Sequence, residues 1–526
     1  MGVSAGLKSA LLASLGASAI LFHGAPALAG TVGEAQAAAS ASKPPTRSRP
    51  NIIFIAIDDL NDWVSPLGAN PQSQTPNIAR LAASGTLFVN AHTQAPICGP
   101  SRASLLTGMR PSTTGFYGQK PALRAAPSTR SATSIFQHFA KNGYHTLGAG
   151  KVFHYLSTEA QKAEFETVGP NLDIVPRPKK IVRSEGLSSY SEIDWGVDDA
   201  AGSAASDQAI AAWAAEQIRS FSTKAEGRPF FMALGFYLPH IPIYAPQRYF
   251  DQVPDEANVQ LPSARDDDLD DVPAIARQLH QWKPNLPGLS PVEPDLAWLK
   301  RHDQWRSLVR AYLAGVRVSD EQVGVVLTAL QQSRLAENTI VVLWSDHGWH
   351  LGEKGLVGKS TLWERSTRVP IIFAGPGVAA GGVVRSPAEL LDLYPTLADL
   401  AGLDRPPALE GLSLRPQLRN ADAPRRQPAI TSYHYGNFAV RDARWRYIRY
   451  VDGSEELYDH RVDPDEVRNL ACERRFSSVK TRLAAFLPAQ PASPVPGSDD
   501  PTVMRRGDEF SFAGKPAVWS PRRCPA

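Results

Sequence analysis

Cysteine is nearly absent from this chain: Cys98, Cys472 and Cys524 are the only three in 526 residues. So few exclude a small-domain scaffold held together by disulfides. Cys472 and Cys524 are available to pair, which leaves Cys98 as a thiol that needs its own explanation. Charge of one sign is lacking too. Lysine and arginine number 55 against 52 acidic residues, a formal net charge of +3. That is too close to neutral for nucleic-acid binding, which shows as a concentrated basic surface. Beyond the first 29 residues, no stretch is long and apolar enough to cross a bilayer. No internal repeat is evident, which excludes solenoid and propeller arrays. What remains, 43% hydrophobic and 20% charged residues, is the composition of a globular, enzyme-sized protein.

The N-terminus is more specific. Lys8 precedes a mostly apolar stretch from Ala10 to Phe22, and Ala27-Leu28-Ala29 follows as a small-x-small cleavage pattern. Charge, apolar run and small residues in that order describe a signal peptide over residues 1–29 better than a disordered Ala-rich leader. The chain is therefore expected to be exported, to a periplasm or beyond the cell. Residues 30–50 read as a flexible linker.

The fold is expected to start at Asn51–Ile57, a continuous apolar run with β-branched residues that suits a strand buried on both faces. Thr75-Pro76 opens a helix as N-cap and first helical residue, and Gly85 closes it. Further strand-like runs lie at Tyr144–Ala149, Pro229–Phe236, Ile340–Ser345 and Val369–Ala374. Helical patterns lie between them, notably at 131–142 and 303–331. Strands alternating with helices indicate an α/β domain, assigned to residues 51–425. From 426 to 486 the pattern changes to short, aromatic-rich segments: Ala429–Tyr435, Phe438–Arg441, Trp445–Val451 and Glu456–Asp459. Those predict a small antiparallel sheet. Residues 487–526, rich in Pro, Ser and Arg, are expected to form an extended tail.

The segment that carries chemistry is Cys98-Gly99-Pro100-Ser101-Arg102-Ala103-Ser104-Leu105-Leu106-Thr107-Gly108. Alone, it could be a structural thiol at a helix start. Two further pairs of candidate ligands accompany it: Asp58-Asp59 after the first strand, and Asp346-His347 after Ile340–Ser345. Strand ends in α/β sheets are where ligands bind. Hard oxygen ligands at two such ends favour a divalent cation such as Ca²⁺. Either pair alone would more often be a helix cap or a solvated turn.

With these residues in view, the sequence resembles the type I formylglycine-dependent sulfatases, whose signature is C-x-P-S-R followed by a helix and T-G. It is most similar to the iduronate-2-sulfatase-like branch. The shared segments include Asp59-Leu60-Asn61-Asp62-Trp63, Ala95-Pro96-Ile97-Cys98, Gly150-Lys151-Val152-Phe153-His154, Pro239-His240-Ile241-Pro242 and Glu456-Leu457-Tyr458-Asp459. The resemblance runs from Asn51 to about Ala471. It implies an alkaline-phosphatase-like fold, a large mixed sheet flanked by helices with a smaller C-terminal antiparallel sheet. It implies hydrolysis of sulfate monoesters of a sugar, after a maturation enzyme has oxidised Cys98 to formylglycine. It implies one Ca²⁺ held by Asp58, Asp59, Cys98, Asp346 and His347. Arg102 would hold the formylglycine, Lys151 and His154 would contact sulfate and the diol, His240 the sulfate and leaving group, and Lys359 the sulfate. One position departs from the branch: Leu238 stands where the iduronate enzyme carries a lysine before Pro-His. Two other readings compete. A phosphonate or phosphate ester hydrolase would use the same cationic pocket. A catalytically silent exported binding protein would keep the fold but would be expected to have lost several of these side chains.

Overall fold

The residues Asn51–Ile57 are apolar at every position but the first, and all seven are buried. Such a strand needs parallel neighbours on both edges and helices on both faces. The computed structural model has this arrangement; it describes residues 49–154, 158–170, 181–182, 194–199, 203–223, 227–281, 295–498, 503–506, 509–512 and 515–516. The leader at 1–29, the linker up to residue 48 and Cys524 lie outside the described residues. Cys472 is disulfide-bonded, and Cys98 is a buried free thiol.

Eight strands form the main sheet: β1 (Asn51–Ile57), β2 (Gly85–Phe88), β3 (His145–Gly150), β4 (Thr167–Val168), β5 (Phe230–Phe236), β6 (Thr339–Ser345), β7 (Ile371–Ala374) and β8 (Gly382–Val384). Their order is β8-β2-β7-β6-β1-β5-β3-β4. The run from β6 to β4 is parallel, while β7 is antiparallel to both β6 and β2. The sheet is therefore mixed. Six helices matter to its packing: α1 (Pro76–Ala83), α2 (Cys98–Thr107), α3 (Ile135–Lys141), α4 (Ser203–Thr223), α5 (Trp305–Gln331) and α6 (Leu393–Leu400). Strand alternation divides the core in two. Ile53, Ile55 and Ile57 pack with α1, α4 and α5, while Ile52, Phe54 and Ala56 pack with α2, α3 and α6.

One local expectation is corrected here. Gly85 does not close α1; it begins β2. A Cβ there would meet the Phe373 carbonyl at 1.9 Å, so the antiparallel neighbour β7 requires the glycine. Thr75 is the N-cap of α1 with Pro76 first in the helix, as expected, though its side chain does not bond its own helix. Its hydroxyl accepts the Ser65 N–H at 2.8 Å instead. The open N–H groups of Asn77 and Ile78 go to Asp320 of α5, at 3.0 and 2.9 Å.

A second, four-stranded antiparallel sheet follows: β9 (Ala429–Ser432), β10 (Phe438–Arg441), β11 (Trp445–Arg449) and β12 (Glu455–Asp459). Beyond it the tail is not extended throughout. Val503–Arg506, Glu509–Phe512 and Lys515–Pro516 pair as an antiparallel sheet.

The second sheet grips the first domain through buried charge. Arg446, on β11 and fully buried, ion-pairs with Glu364 and Glu466. It also donates to the Leu362 carbonyl at 3.0 Å. Glu466 accepts the Glu364 N–H at 2.8 Å and contacts His460 at 2.9 Å. Burial opposes the charge on Glu466, but Arg446 and His460 outweigh it and hold its carboxyl below the usual range. A depressed pKa stabilises the fold above the unfolded value of about 4.5, and that stability is lost as pH falls toward 2. Glu466→Gln strips one partner from a buried arginine and is expected to cost about 3–5 kcal/mol. It should also flatten the acid loss of stability. Urea titrations across that acid range check this; an unchanged midpoint and pH dependence would refute it.

Candidate active site

Four neighbouring parallel strands, β3, β5, β1 and β6, end at one edge of the sheet. Each hands over a polar segment there: Lys151–His154, Tyr237–Ile241, Asp58-Asp59 and Asp346-His347. The ladder runs slightly past the strands and fixes these segments, with Asp58 N–H to Phe236 O at 3.1 Å and Lys151 N–H to Gly235 O at 2.9 Å. Asp59 is left-handed, with φ of 59°, a strained state for a residue with a Cβ. Its N–H reaches Asp346 Oδ1 at 3.3 Å.

Across from these ends, α2 points its first turn into the cluster. All ten of its residues are buried. Cys98 and Arg102 are four apart and so share a face. Arg102 donates to Asp346 Oδ2 at 2.9 Å and Asp58 Oδ1 at 3.1 Å, tying two strand ends together. Cys98 Sγ lies 3.3 Å from His347 Nε2, 3.1 Å from Lys359 Nζ, 4.0 Å from Lys151 Nζ and 3.7 Å from Asp58 Oδ1. His154 also hydrogen-bonds the thiol. Lys151 pairs with Asp58, and Lys359 with Asp59 at 2.7 Å. His240 Nε2 faces Asp59 Oδ2 at 3.8 Å and Asp58 Oδ2 at 3.9 Å. All ten residues singled out from sequence therefore meet in one cluster.

The electrostatics follow from burial. Burial resists ionisation of Cys98, yet Lys151, Lys359 and His347 overcome it and hold its pKa well below that of an ordinary thiol. Burial likewise resists charge on Asp58, and Lys151, His240 and Arg102 outweigh it. At Asp346 burial wins over Arg102, pushing the carboxyl up to about 7, with the charge of Asp58 adding to the effect. His347 donates from Nδ1 to the Gly348 carbonyl at 3.0 Å. Its Nε2 is thereby left facing the carboxylates.

This donor set fits a divalent cation. Asp58, Cys98, Asp346 and His347 have ligand atoms within 4.8 Å of one another, as do Asp58, Asp59, Cys98 and His240. Asp59 Oδ2 is buried without a hydrogen-bond donor among the described residues, an acceptor that a cation would satisfy. Oxygen-rich donors favour a hard ion.

Some contributors were not anticipated. Gln119 accepts the Gly99 N–H at 2.7 Å and so fixes the peptide that follows Cys98. Tyr312 of α5 donates to the Asp59 carbonyl at 2.8 Å and accepts the Asn61 N–H at 2.9 Å, which holds the strained turn from behind. Neither sits in a motif; only tertiary proximity reveals them. Leu238 is fully buried in the apolar cluster that contains α4 and α5, so its side chain packs into the core.

Known proteins match this chain along most of its length. A family model described as Sulfatase covers residues 50–403, and one described as N-sulphoglucosamine sulphohydrolase, C-terminal, covers 352–491. A sulfatase from Formosa agariphila is 39% identical over 454 residues, covering 84% of this chain and 86% of the relative. Iduronate 2-sulfatase of Mus musculus is 32% identical over 401 residues, covering 68% and 69%. A solved structure of a 2-O GAG sulfatase superposes with a TM-score of 0.64 at 23% identity, covering 84% of this chain and 91% of that one; at that identity the likeness speaks for the fold.

Cation binding at this cluster should be measurable as stability. Addition of Ca²⁺ at 100 times its dissociation constant is worth about 2.7 kcal/mol to the folded state. The melting temperature of chelator-treated protein should therefore rise on adding Ca²⁺, and Asp58→Asn should abolish the rise. A melting curve indifferent to every divalent ion would remove the metal reading.

Proposed function

The chain belongs to the sulfatase family, has the alkaline-phosphatase-like sulfatase fold and is a sulfatase, and on that premise we propose that it cleaves a sulfated sugar through a formylglycine made from Cys98. The observation that carries this is the setting of Cys98: a buried first-turn residue ringed by Lys151, Lys359, His154 and His347, beside three carboxylates. A thiol so placed could attack sulfur but could not release sulfate afterwards. A hydrated formylglycine supplies two hydroxyls on one carbon, one to displace the alcohol and one to expel sulfate by C–O cleavage. Cys98 is fully buried in the folded chain. The maturation enzyme must therefore meet it before folding closes α2 against the sheet.

Each cation near residue 98 then has a task. Lys151 and Lys359, partly exposed on the pocket side, hold the sulfate oxygens as charge shifts onto them. Arg102, paired to Asp58 and Asp346, holds residue 98 in register with the carboxylates. A Ca²⁺ bound by Asp58, Asp59, Asp346, His347 and residue 98 would acidify the diol and neutralise sulfate charge. His240 presents Nε2 to the same space and hands a proton to the departing alcohol. The 32% identity to iduronate 2-sulfatase supports a terminal uronate with a 2-O-sulfate as substrate. The leader at residues 1–29 supports export, and no helix among the described residues is long and apolar enough to span a membrane.

Cys98→Ala should lower kcat by roughly 10³-fold or more while the protein still folds; undiminished turnover would refute the nucleophile. Matched aryl esters should show higher kcat/KM for sulfate than for phosphate or phosphonate, and the reverse order would favour the hydrolase alternative. Among sulfated sugars differing only in the carboxylate, the uronate should be preferred. Preference for the neutral sugar would retire the uronate assignment and leave the sulfatase.

A further inference from the structure

A carboxylate outside the cluster, Asp207 on α4, is fully buried, and no arginine or lysine pairs with it among the contacts of the described residues. Its partners are two backbone amides. Asp207 Oδ1 accepts the Tyr237 N–H at 2.7 Å, and Oδ2 accepts the Leu238 N–H at 3.0 Å. Burying a carboxylate is costly and is offset only when its oxygens are hydrogen-bonded. Burial, with a smaller contribution from Asp58, pushes its carboxyl up to about 7 even against those two amides. A core position that needed only packing would be met more cheaply by an apolar residue.

What the two amides lead to is His240. The segment from Tyr237 to Ile241 turns tightly, with His240 N–H donating to the Tyr237 carbonyl at 3.0 Å. The Tyr237 hydroxyl donates to the Ile241 carbonyl, and His240 Nδ1 faces the same carbonyl as well as the hydroxyl at 3.1 Å. A carbonyl can only accept, so Nδ1 carries a hydrogen and Nε2 is turned to the pocket. The Tyr237 and His240 rings lie 4.9 Å apart, and Lys151 Nζ sits 5.5 Å from the Tyr237 ring centre. On the far side, Ser319 of α5 donates to the Leu238 carbonyl at 2.6 Å. The Leu238 peptide is thus held from both helices, and Tyr237 is the link from that anchor to the imidazole.

We propose that Asp207, acting through Tyr237, is the positioning residue that aims His240 Nε2 at the leaving-group oxygen. The proposal rests on the reading that His240 gives a proton to the departing alcohol. In that step the ester S–O bond breaks as the new S–O bond to residue 98 forms, and the proton of the attacking hydroxyl goes to a carboxylate facing residue 98. His240 enters as the imidazolium and gives its Nε2 proton to the alcohol oxygen, keeping the hydrogen on Nδ1. Misaiming the ring penalises poor leaving groups, which need the proton, more than good ones, which depart as anions.

The test uses the mature, formylglycine-containing enzyme with phenyl sulfate and 4-nitrophenyl sulfate, two esters that differ mainly in leaving-group basicity. Asp207→Asn keeps the shape but turns one acceptor into a donor facing an amide. It should lower kcat on phenyl sulfate about 10- to 100-fold more than on 4-nitrophenyl sulfate, within the range that general-acid catalysis contributes. His240→Asn should show the same selectivity, and the double variant no more than His240→Asn alone. Equal losses on both esters in Asp207→Asn, with selective loss in His240→Asn, would overturn the positioning role alone. Equal losses in His240→Asn would overturn the leaving-group reading and this role with it. Should Asp207→Asn fail to fold, Tyr237→Phe, which removes only the hydroxyl, decides: selective loss supports the link, and equal loss refutes it.

Discussion

Like charges packed into a water-poor pocket repel strongly, and here the carboxylates of Asp58, Asp59 and Asp346 share one with the Cys98 thiol. Each is essentially inaccessible to solvent. At the short separations involved, unscreened repulsion would expel the carboxylates or protonate them. The structure answers with Arg102, Lys151, Lys359 and His347, each within ion-pairing reach of at least one carboxylate. Even so, the compensation is incomplete, since Asp346 is pushed toward neutrality and Asp59 Oδ2 lacks a donor among the described residues. The residual imbalance is what an added divalent cation would correct.

Much of the surrounding fold can be understood as holding that charge set in place. The carboxylates hang from the ends of adjacent strands, whose ladders leave little freedom at Asp58 or Asp346. Arg102 reaches them from α2, a helix buried along its entire length. Lys359 comes from a different quarter. It follows a short two-stranded turn, His350–Leu351 with Val357–Gly358, and its next residue, Ser360, is tied to the Pro96 carbonyl at 3.0 Å. Downstream of it, Leu362, Trp363 and Glu364 are bonded to Arg446, Glu456 and Glu466 of the C-terminal part. The small sheet therefore stiffens the segment that delivers one of the two lysines facing Cys98.

The residues of the cluster were legible in sequence because they lie in short motifs, at strand ends for the carboxylates and on the first turn of α2 for Cys98 and Arg102. Asn51–Ile57 was read with its observed limits, since continuous apolar runs have few alternatives in an α/β chain. The strands at 339–345 and 438–441 were read within a residue. Harder to see were β2 and β8, whose brief segments Gly85–Phe88 and Gly382–Val384 carry little periodicity. Gly85 was mistaken for a helix stop because a glycine after an amphipathic stretch has two explanations. Only the approach of Phe373 distinguishes them. Thr75 is the N-cap that the sequence indicates, but the partner of its hydroxyl, Ser65, is set by the tertiary fold.

The support of the site was far less legible, and for a physical reason. Gln119 acts on Gly99 across 20 residues, Asp207 on Tyr237 across 30, and Tyr312 on Asp59 across 253. Each is a polar side chain bonded to backbone. The backbone partner has no identity in sequence, so no motif marks the pair. Charged residues that face substrate are constrained by the chemistry itself and recur at recognisable spacings. Residues that orient them need only reach an amide or a carbonyl, and several positions on a neighbouring helix could do so. In this protein α4 and α5, on the face opposite α2, supply Asp207, Ser319 and Tyr312 to brace the turns after β5 and β1. The aim of His240 is consequently a property of the packing of those two helices against the sheet, and it belongs to the tertiary structure more than to the Pro-His segment that carries it.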